Sequence, residues 1–138
     1  VGLAKASLDR TRELLNEQLQ LSYDQPTSTL TQLEAEYYRM EAEWEAARLM
    51  TLKAAWMADN SQPNSKEASM AKAKAGRVCN AITLKCVELC SSLGYSETEL
   101  LEKWSRDSKI LDIFEGTQQI QQLIVARRLL NKSSSELR

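Results

Sequence analysis

Glu115 is the residue around which chemistry could be built. It lies in the stretch Lys109-Ile-Leu-Asp-Ile-Phe-Glu-Gly-Thr-Gln-Gln-Ile-Gln-Gln-Leu-Ile-Val-Ala-Arg127. This stretch reads as a short apolar run, a break at Glu115-Gly116-Thr117, and an amphipathic helix. Gly116 permits a turn that a residue with a Cβ would resist. Thr117 is placed to cap the helix that follows, its hydroxyl accepting from a free amide of the first turn. Glu115 therefore sits at a break between elements, where rigid helices can aim a side chain. A carboxylate at this position is also favoured simply by the positive end of the helix dipole, and the residues alone favour that plainer reading.

Other side chains narrow the chemistry. The chain has no histidine, which removes Ser/His and Cys/His nucleophile arrangements. Acid–base work must use a carboxylate, a lysine or a tyrosine. Cys79, Cys86 and Cys90 are spaced seven and four apart, one face of a helix. Their number is odd and there is no Cys-x-x-Cys, so neither a disulfide framework nor a zinc site is implied. They are expected as small apolar residues on a buried face, in a reducing compartment.

The elements that must position Glu115 are helical. Hydrophobic residues make up 43% of the 138 and charged residues 27%, enough for one domain with one core. Four glycines and two prolines argue for few, long elements, and no two-residue alternation marks a strand. The net charge of −1 gives no basic face, so nucleic acid is not an expected partner. No apolar run approaches a membrane span and no signal-type segment is visible.

The first helix is expected over residues 1 to about 20. It begins inside an apolar pattern with no capping residue ahead, as if cut at its start, so the chain is expected to be part of something longer. Residues 21–29 read as a connector in which Pro26 ends the first helix and Thr27, Ser28 or Thr29 caps the next. The second helix is expected from about Leu30 to Asp59, with a seam of Leu30, Leu33, Tyr37, Met40, Trp44, Ala47, Thr51, Ala54 and Ala58. Trp44 and Trp56 are expected as core or interface anchors. After the loop Asn60-Ser-Gln-Pro-Asn64, a third helix runs from Ser65 to Leu93, with Gly94 as its C-terminal cap. Ser96-Glu-Thr-Glu99 matches a capping box and predicts a short helix through Trp104. Arg106, Asp107 and Lys109 read as a solvated charge cluster or local ion pair. The last helix is expected over Gln118–Leu130, with a seam of Ile120, Leu123, Ile124, Arg127 and Leu130. The expected fold is all-α, an antiparallel up-and-down bundle of four main helices plus one short one over residues 1–131, with a frayed polar tail at 132–138.

Read in order, these segments resemble the C-terminal helical domain of the acyl-CoA dehydrogenase family. The resemblance rests on Val1-Gly-Leu-Ala4 with Leu8-Asp9, Glu45-Ala-Ala-Arg48, Ala54-Ala-Trp56, Ala68-Ser-Met-Ala-Lys72, Leu93-Gly-Tyr95, Arg106-Asp-Ser-Lys-Ile110, Phe114-Glu-Gly-Thr117 and Gln119-Ile-Gln121. It implies α,β-dehydrogenation of an acyl-CoA thioester with FAD as hydride acceptor. Glu115 matches the family's general base, which should be partly desolvated and firmly aimed. Phe114 would line the thioester pocket, and Gly116, Thr117 and Gln119 match positions that touch the flavin. The resemblance also implies a homo-oligomer or a related dehydrogenase subunit as partner, and a bacterial cytoplasm or mitochondrial matrix as location. The family's other domains are not within these residues, so this chain alone is expected to be inactive.

The departures fall on one task. The family's Arg-x-x-Phe-Gly connector, which grips a neighbour's FAD, is replaced by Gln18 or Gln20, Leu21 or Tyr23, and Ser22 or Asp24. Its Gln before a Gly-Gly pair becomes Glu88, and the pair becomes Ser91-Ser92. A carboxylate in place of a phosphate-binding group repels a pyrophosphate. Two expectations follow: a heteromeric enzyme in which another subunit supplies the clamp, or a diverged subunit acting mainly in assembly. A helical interaction module without chemistry is the third.

Overall fold

The structure is a computed structural model that describes residues 1–22, 24, 26 and 29–137. Five helices follow in order: α1 (Gly2–Leu14), α2 (Gln32–Asp59), α3 (Ser65–Gly94), α4 (Leu101–Ile113) and α5 (Gln118–Leu130). No strand occurs among the described residues, and the all-α expectation holds. The long α3 is the centre, in contact with each of the other four helices. The core gathers Leu8 of α1, Tyr37 and Met40 of α2, Ile82 and Cys86 of α3 and Leu101 of α4. The Tyr37 hydroxyl donates to the Leu8 carbonyl oxygen at 3.1 Å, so the one polar atom of that ring is satisfied where it is buried. Among the described residues, no helix is long and apolar enough to cross a membrane.

Helix bounds differ from expectation where tertiary contacts decide. α1 stops at Leu14, because the chain turns at Leu15 and drives Leu19 into the core. α2 starts at Gln32 under a capping box. The Glu34 amide donates to Thr31 Oγ1 at 3.2 Å, and the Thr31 amide donates to Glu34 Oε2 at 2.8 Å. Thr31 is therefore the cap in place of Thr29; Thr27 and Ser28, the other expected caps, lie outside the described residues. Trp44 packs on the core and its Nε1 donates to the Val1 carbonyl oxygen at 3.2 Å. Trp56 does not serve as a core anchor: it is 57% exposed, on a face it shares with exposed Leu49 and Leu52.

The helix expected to be short runs instead through thirteen residues, and it starts at Leu101 rather than at Ser96. Glu99 does not close a capping box on Ser96, because Arg10 of α1 captures its carboxylate, Nε to Oε2 at 2.7 Å. Leu100, at φ 61°, then breaks the chain direction. α3 is interrupted at Ser91 (φ 51°, ψ −125°) and resumes through Gly94. Gly94 is required for close approach rather than as the cap, which is Tyr95: a Cβ at 94 would stand 2.3 Å from the Val87 carbonyl oxygen. Cys79, Cys86 and Cys90 are free thiols, 2%, 0% and 3% exposed along the inner face of α3. The segment after α5 folds back, with Arg127 Nε donating to the Leu137 carbonyl oxygen at 2.7 Å.

Candidate functional site

The break between α4 and α5 is built from four residues, two extended ones enclosing two of positive φ. Phe114 closes α4, its amide bonded to the Ile110 carbonyl oxygen at 3.0 Å, and then turns extended. Glu115 is left-handed at φ 55° and Gly116 follows at φ 102°. Thr117 is extended again and caps α5, its hydroxyl accepting from the Ile120 amide. A left-handed glutamate costs about 1–3 kcal/mol and persists only where its surroundings hold it. The expected turn at Gly116 and cap at Thr117 are thus as the sequence predicts, while the strain falls one residue earlier.

Two buried polar side chains bond across the break, Gln121 and Asp112, and the sequence gives a role to neither. Gln121, on the first turn of α5, donates from Nε2 to the Glu115 carbonyl oxygen at 3.1 Å. Asp112, on the last turn of α4, accepts from Lys109 Nζ at 3.0 Å and from Gln118 Nε2, so it ties α4 to the start of α5. Its own backbone carbonyl accepts from Lys72 Nζ of α3 at 3.1 Å. That ammonium also lies 6.0 Å from the centre of the Phe114 ring, within cation–π range. Burial works to raise the Asp112 carboxyl, but the hydrogen bonds from Gln118 and Lys109 and the charges of Lys109 and Lys72 together hold it below its usual range. Both residues look like surface polar positions in sequence: Asp112 sits in an apolar run and Gln121 in a glutamine-rich one.

The expected site residues come together as follows. Phe114 is 50% exposed and Glu115 and Gln119 are exposed, while Gly116 and Thr117 are half-buried between them. The Glu115 carboxylate makes no hydrogen bond or ion pair among the described residues. Partial desolvation, expected of a base, is not supplied by this chain. Ile110, Ile113 and Ile120 leave large apolar surface beside the break, at 64%, 49% and 51% exposure. The first amides of α5 have no helical partner, so this end presents hydrogen-bond donors and the positive pole of a dipole. Such an end fits a flavin ring edge with Thr117 and Gln119 beside it.

The opposite end of the molecule does not fit a pyrophosphate. Glu88 is exposed on α3 and its Oε2 takes a hydrogen bond from Lys85 Nζ at 2.7 Å. Gln32, Leu33 and Glu36 of α2 join Lys85, Glu88 and Leu89 around a depression of about 350 Å³. An anion there would face Glu36 and Glu88, with Lys85 already engaged. Gln18 and Gln20 are exposed and uncharged, and Ser91 occupies a backbone conformation suited to glycine. Tyr23, one of the two stand-ins for the family's Phe, lies outside the described residues.

Comparison with known proteins gives the family. The family model described as "Acyl-CoA dehydrogenase, C-terminal domain" matches residues 1–130. The chain is 35% identical over 130 residues to "Probable acyl-CoA dehydrogenase YngJ" of Bacillus subtilis, covering 94% of this chain and 34% of that one. It is 33% identical over 135 residues to the short-chain specific acyl-CoA dehydrogenase, mitochondrial, of Rattus norvegicus, covering 98% and 32%. Among solved structures it resembles butyryl-CoA dehydrogenase from Megasphaera elsdenii, with a TM-score of 0.82 at 29% identity over 94% of this chain and 33% of that one. The chain spans about a third of the length of the relatives it matches. With motif order, five-helix fold and likeness agreeing along nearly the whole length, the chain belongs to the acyl-CoA dehydrogenase family of FAD-dependent oxidoreductases, as its C-terminal helical domain.

Proposed function

We propose that the protein carrying this domain dehydrogenates an acyl-CoA thioester at its α,β bond, with Glu115 as the general base. The observation that carries this reading is the conformation of the break. Glu115 is left-handed, its carbonyl oxygen accepts from Gln121 Nε2, and its carboxylate is exposed, without a partner among the described residues, at the dipolar end of α5. The thioester carbonyl acidifies the α-carbon, and the Glu115 carboxylate takes that proton as the α,β double bond forms. FAD, when bound, would supply the acceptor for the hydride that the β-carbon gives up. Gly116, Thr117 and Gln119 are the residues beside which the flavin would lie, and Phe114 would face the thioester. The apolar surface of Ile110, Ile113 and Ile120 suits cover by another domain or by the acyl chain, which would supply the desolvation a base needs.

A second reading is favoured by the opposite end of the molecule. Glu88, Glu36 and the strained Ser91 suit a subunit that leaves a neighbour's FAD unclamped. The partner would then be a related dehydrogenase subunit rather than an identical copy. Residues 1–131 form the working domain in either reading, and 132–138 a terminal tail. A bacterial cytoplasm or mitochondrial matrix would suit both.

The test is Glu115→Gln in the full-length protein, with flavin content measured alongside turnover. The expected result is a fall in kcat of about 10²- to 10⁴-fold with flavin retained. Normal turnover would remove Glu115 from the role of base. About one flavin per chain in the purified protein alone supports the homomeric enzyme. Flavin only in the presence of a related subunit supports the second reading.

A further inference from the structure

The strained backbone at Glu115 asks what holds it. Four glutamines open α5, and each has a different environment. Gln118 reaches back to Asp112, while Gln119 and Gln122 are exposed. Gln121 alone among them is buried, at 8% exposure. Its Nε2 donates to the Glu115 carbonyl oxygen at 3.1 Å. The same amide fills the side of Gly116: a Cβ there would stand 2.6 Å from Nε2 and 3.6 Å from the side-chain amide carbon. The helical bond from the Gln121 amide to the Thr117 carbonyl oxygen, 3.0 Å, fixes the backbone from which that side chain reaches.

Resting on the reading of Glu115 as base, we propose that Gln121 is a positioning residue. It holds Glu115 left-handed from inside α5 and so aims the carboxylate, and Gly116 leaves its side open to admit the Gln121 amide. A buried amide donor is matched here to a carbonyl that would otherwise be left by the turn without a partner. Release of that carbonyl would let φ at Glu115 relax toward the ordinary right-handed region, and the side chain would swing with it. Misplacement of a catalytic group by about 1 Å can cost on the order of 10²-fold in rate.

The experiment uses the full-length, flavin-loaded protein and the member of a straight-chain acyl-CoA series on which it is most active. Gln121→Met keeps most of the volume and removes the donor, while Gln121→Glu keeps the shape without an N–H. In both variants kcat should fall about 10- to 100-fold, with KM within about threefold. Flavin content should be unchanged. The isotope effect on kcat with α-deuterated substrate should rise, because proton removal has become slower. A merely structural role would not move that isotope effect. Wild-type kcat in both variants overturns the proposal, as does a loss of flavin and melting temperature with no rise in the isotope effect. Glu115→Gln separates the two layers. If that variant is inactive while the Gln121 variants are normal, only the positioning role falls. If it turns over normally, or if the unmodified protein is inactive, both fall together.

Discussion

The Asp112 carboxylate lies directly over Gly76: a Cβ at position 76 would stand 2.8 Å from Asp112 Oδ1 and 3.2 Å from Asp112 Cα. The missing side chain lets the last turn of α4 settle onto α3, and with it the start of the break that presents Glu115. Local helix propensity would prefer alanine here by about 1 kcal/mol, so the close approach outweighs it.

Gly76→Ala is therefore expected to destabilise rather than stabilise. The backbone of α4 must shift, and overpacking of this kind costs about 1–3 kcal/mol. Denaturant unfolding of the full-length protein measures it, and an unchanged or raised midpoint would contradict the contact.

Asp112 makes stability depend on acid. Its carboxyl is held below the usual range in the fold, so the folded state binds fewer protons than the unfolded one. The contribution is fully present above the unfolded value of about 3.9 and is lost as pH falls through the lower folded value. Asp112→Asn should narrow this acid dependence: the gap in melting temperature between the parent and the variant is expected to be largest near neutrality and to shrink below about pH 4. A gap that stays constant from neutral to acid pH would count against the assignment.

Ser91 is expected to be improved by substitution. At φ 51°, ψ −125° it occupies a region that glycine enters freely and residues with a Cβ enter at a cost of about 1–3 kcal/mol. Ser91→Gly should raise stability by about 1 kcal/mol net of the extra freedom of the unfolded chain. Calorimetry of the two proteins decides it.

Thr31→Ala should cost about 1 kcal/mol through loss of the cap on α2. Ser96→Ala should change stability by less than about 0.5 kcal/mol, since Ser96 caps no helix: its hydroxyl bonds only to the amide and the hydroxyl of Thr98, in an exposed turn. Equal losses in the two variants would refute the distinction.

The contrast between those serine and threonine positions explains what was legible in sequence. Thr31-x-x-Glu34 and Ser96-x-x-Glu99 carry the same local signal, and only the first becomes a capping box. Glu34 keeps its bonds to Thr31 although the Gln20 backbone also reaches it, whereas Glu99 is taken by Arg10, 89 positions away. The break at Glu115, the turn at Gly116 and the cap at Thr117 could be read because each depends on its immediate neighbours. The lock around them could not. Asp112 meets Gly76 and Lys72 across a separation of about 40 residues, and Gln121 is buried only because it folds back on the turn. The seam expected on α5 misplaced Ile120 and Leu130 for the same reason. Both are exposed, at 51% and 61%, because the face of α5 turned inward is set by contact with α3 and carries Gln121 instead.

The three thiols along the inner face of α3 turn that helix into a clock for its own exposure. Burial pushes all three thiols above their ordinary range, Cys86 to about 12, so thiolate is scarce even where a reagent could reach it. An alkylating agent can react only after the helices around α3 separate. The labelling rate at Cys86 then reports how often the centre of the domain opens, and the order in which Cys79, Cys86 and Cys90 are labelled reports whether it opens from one end or all at once.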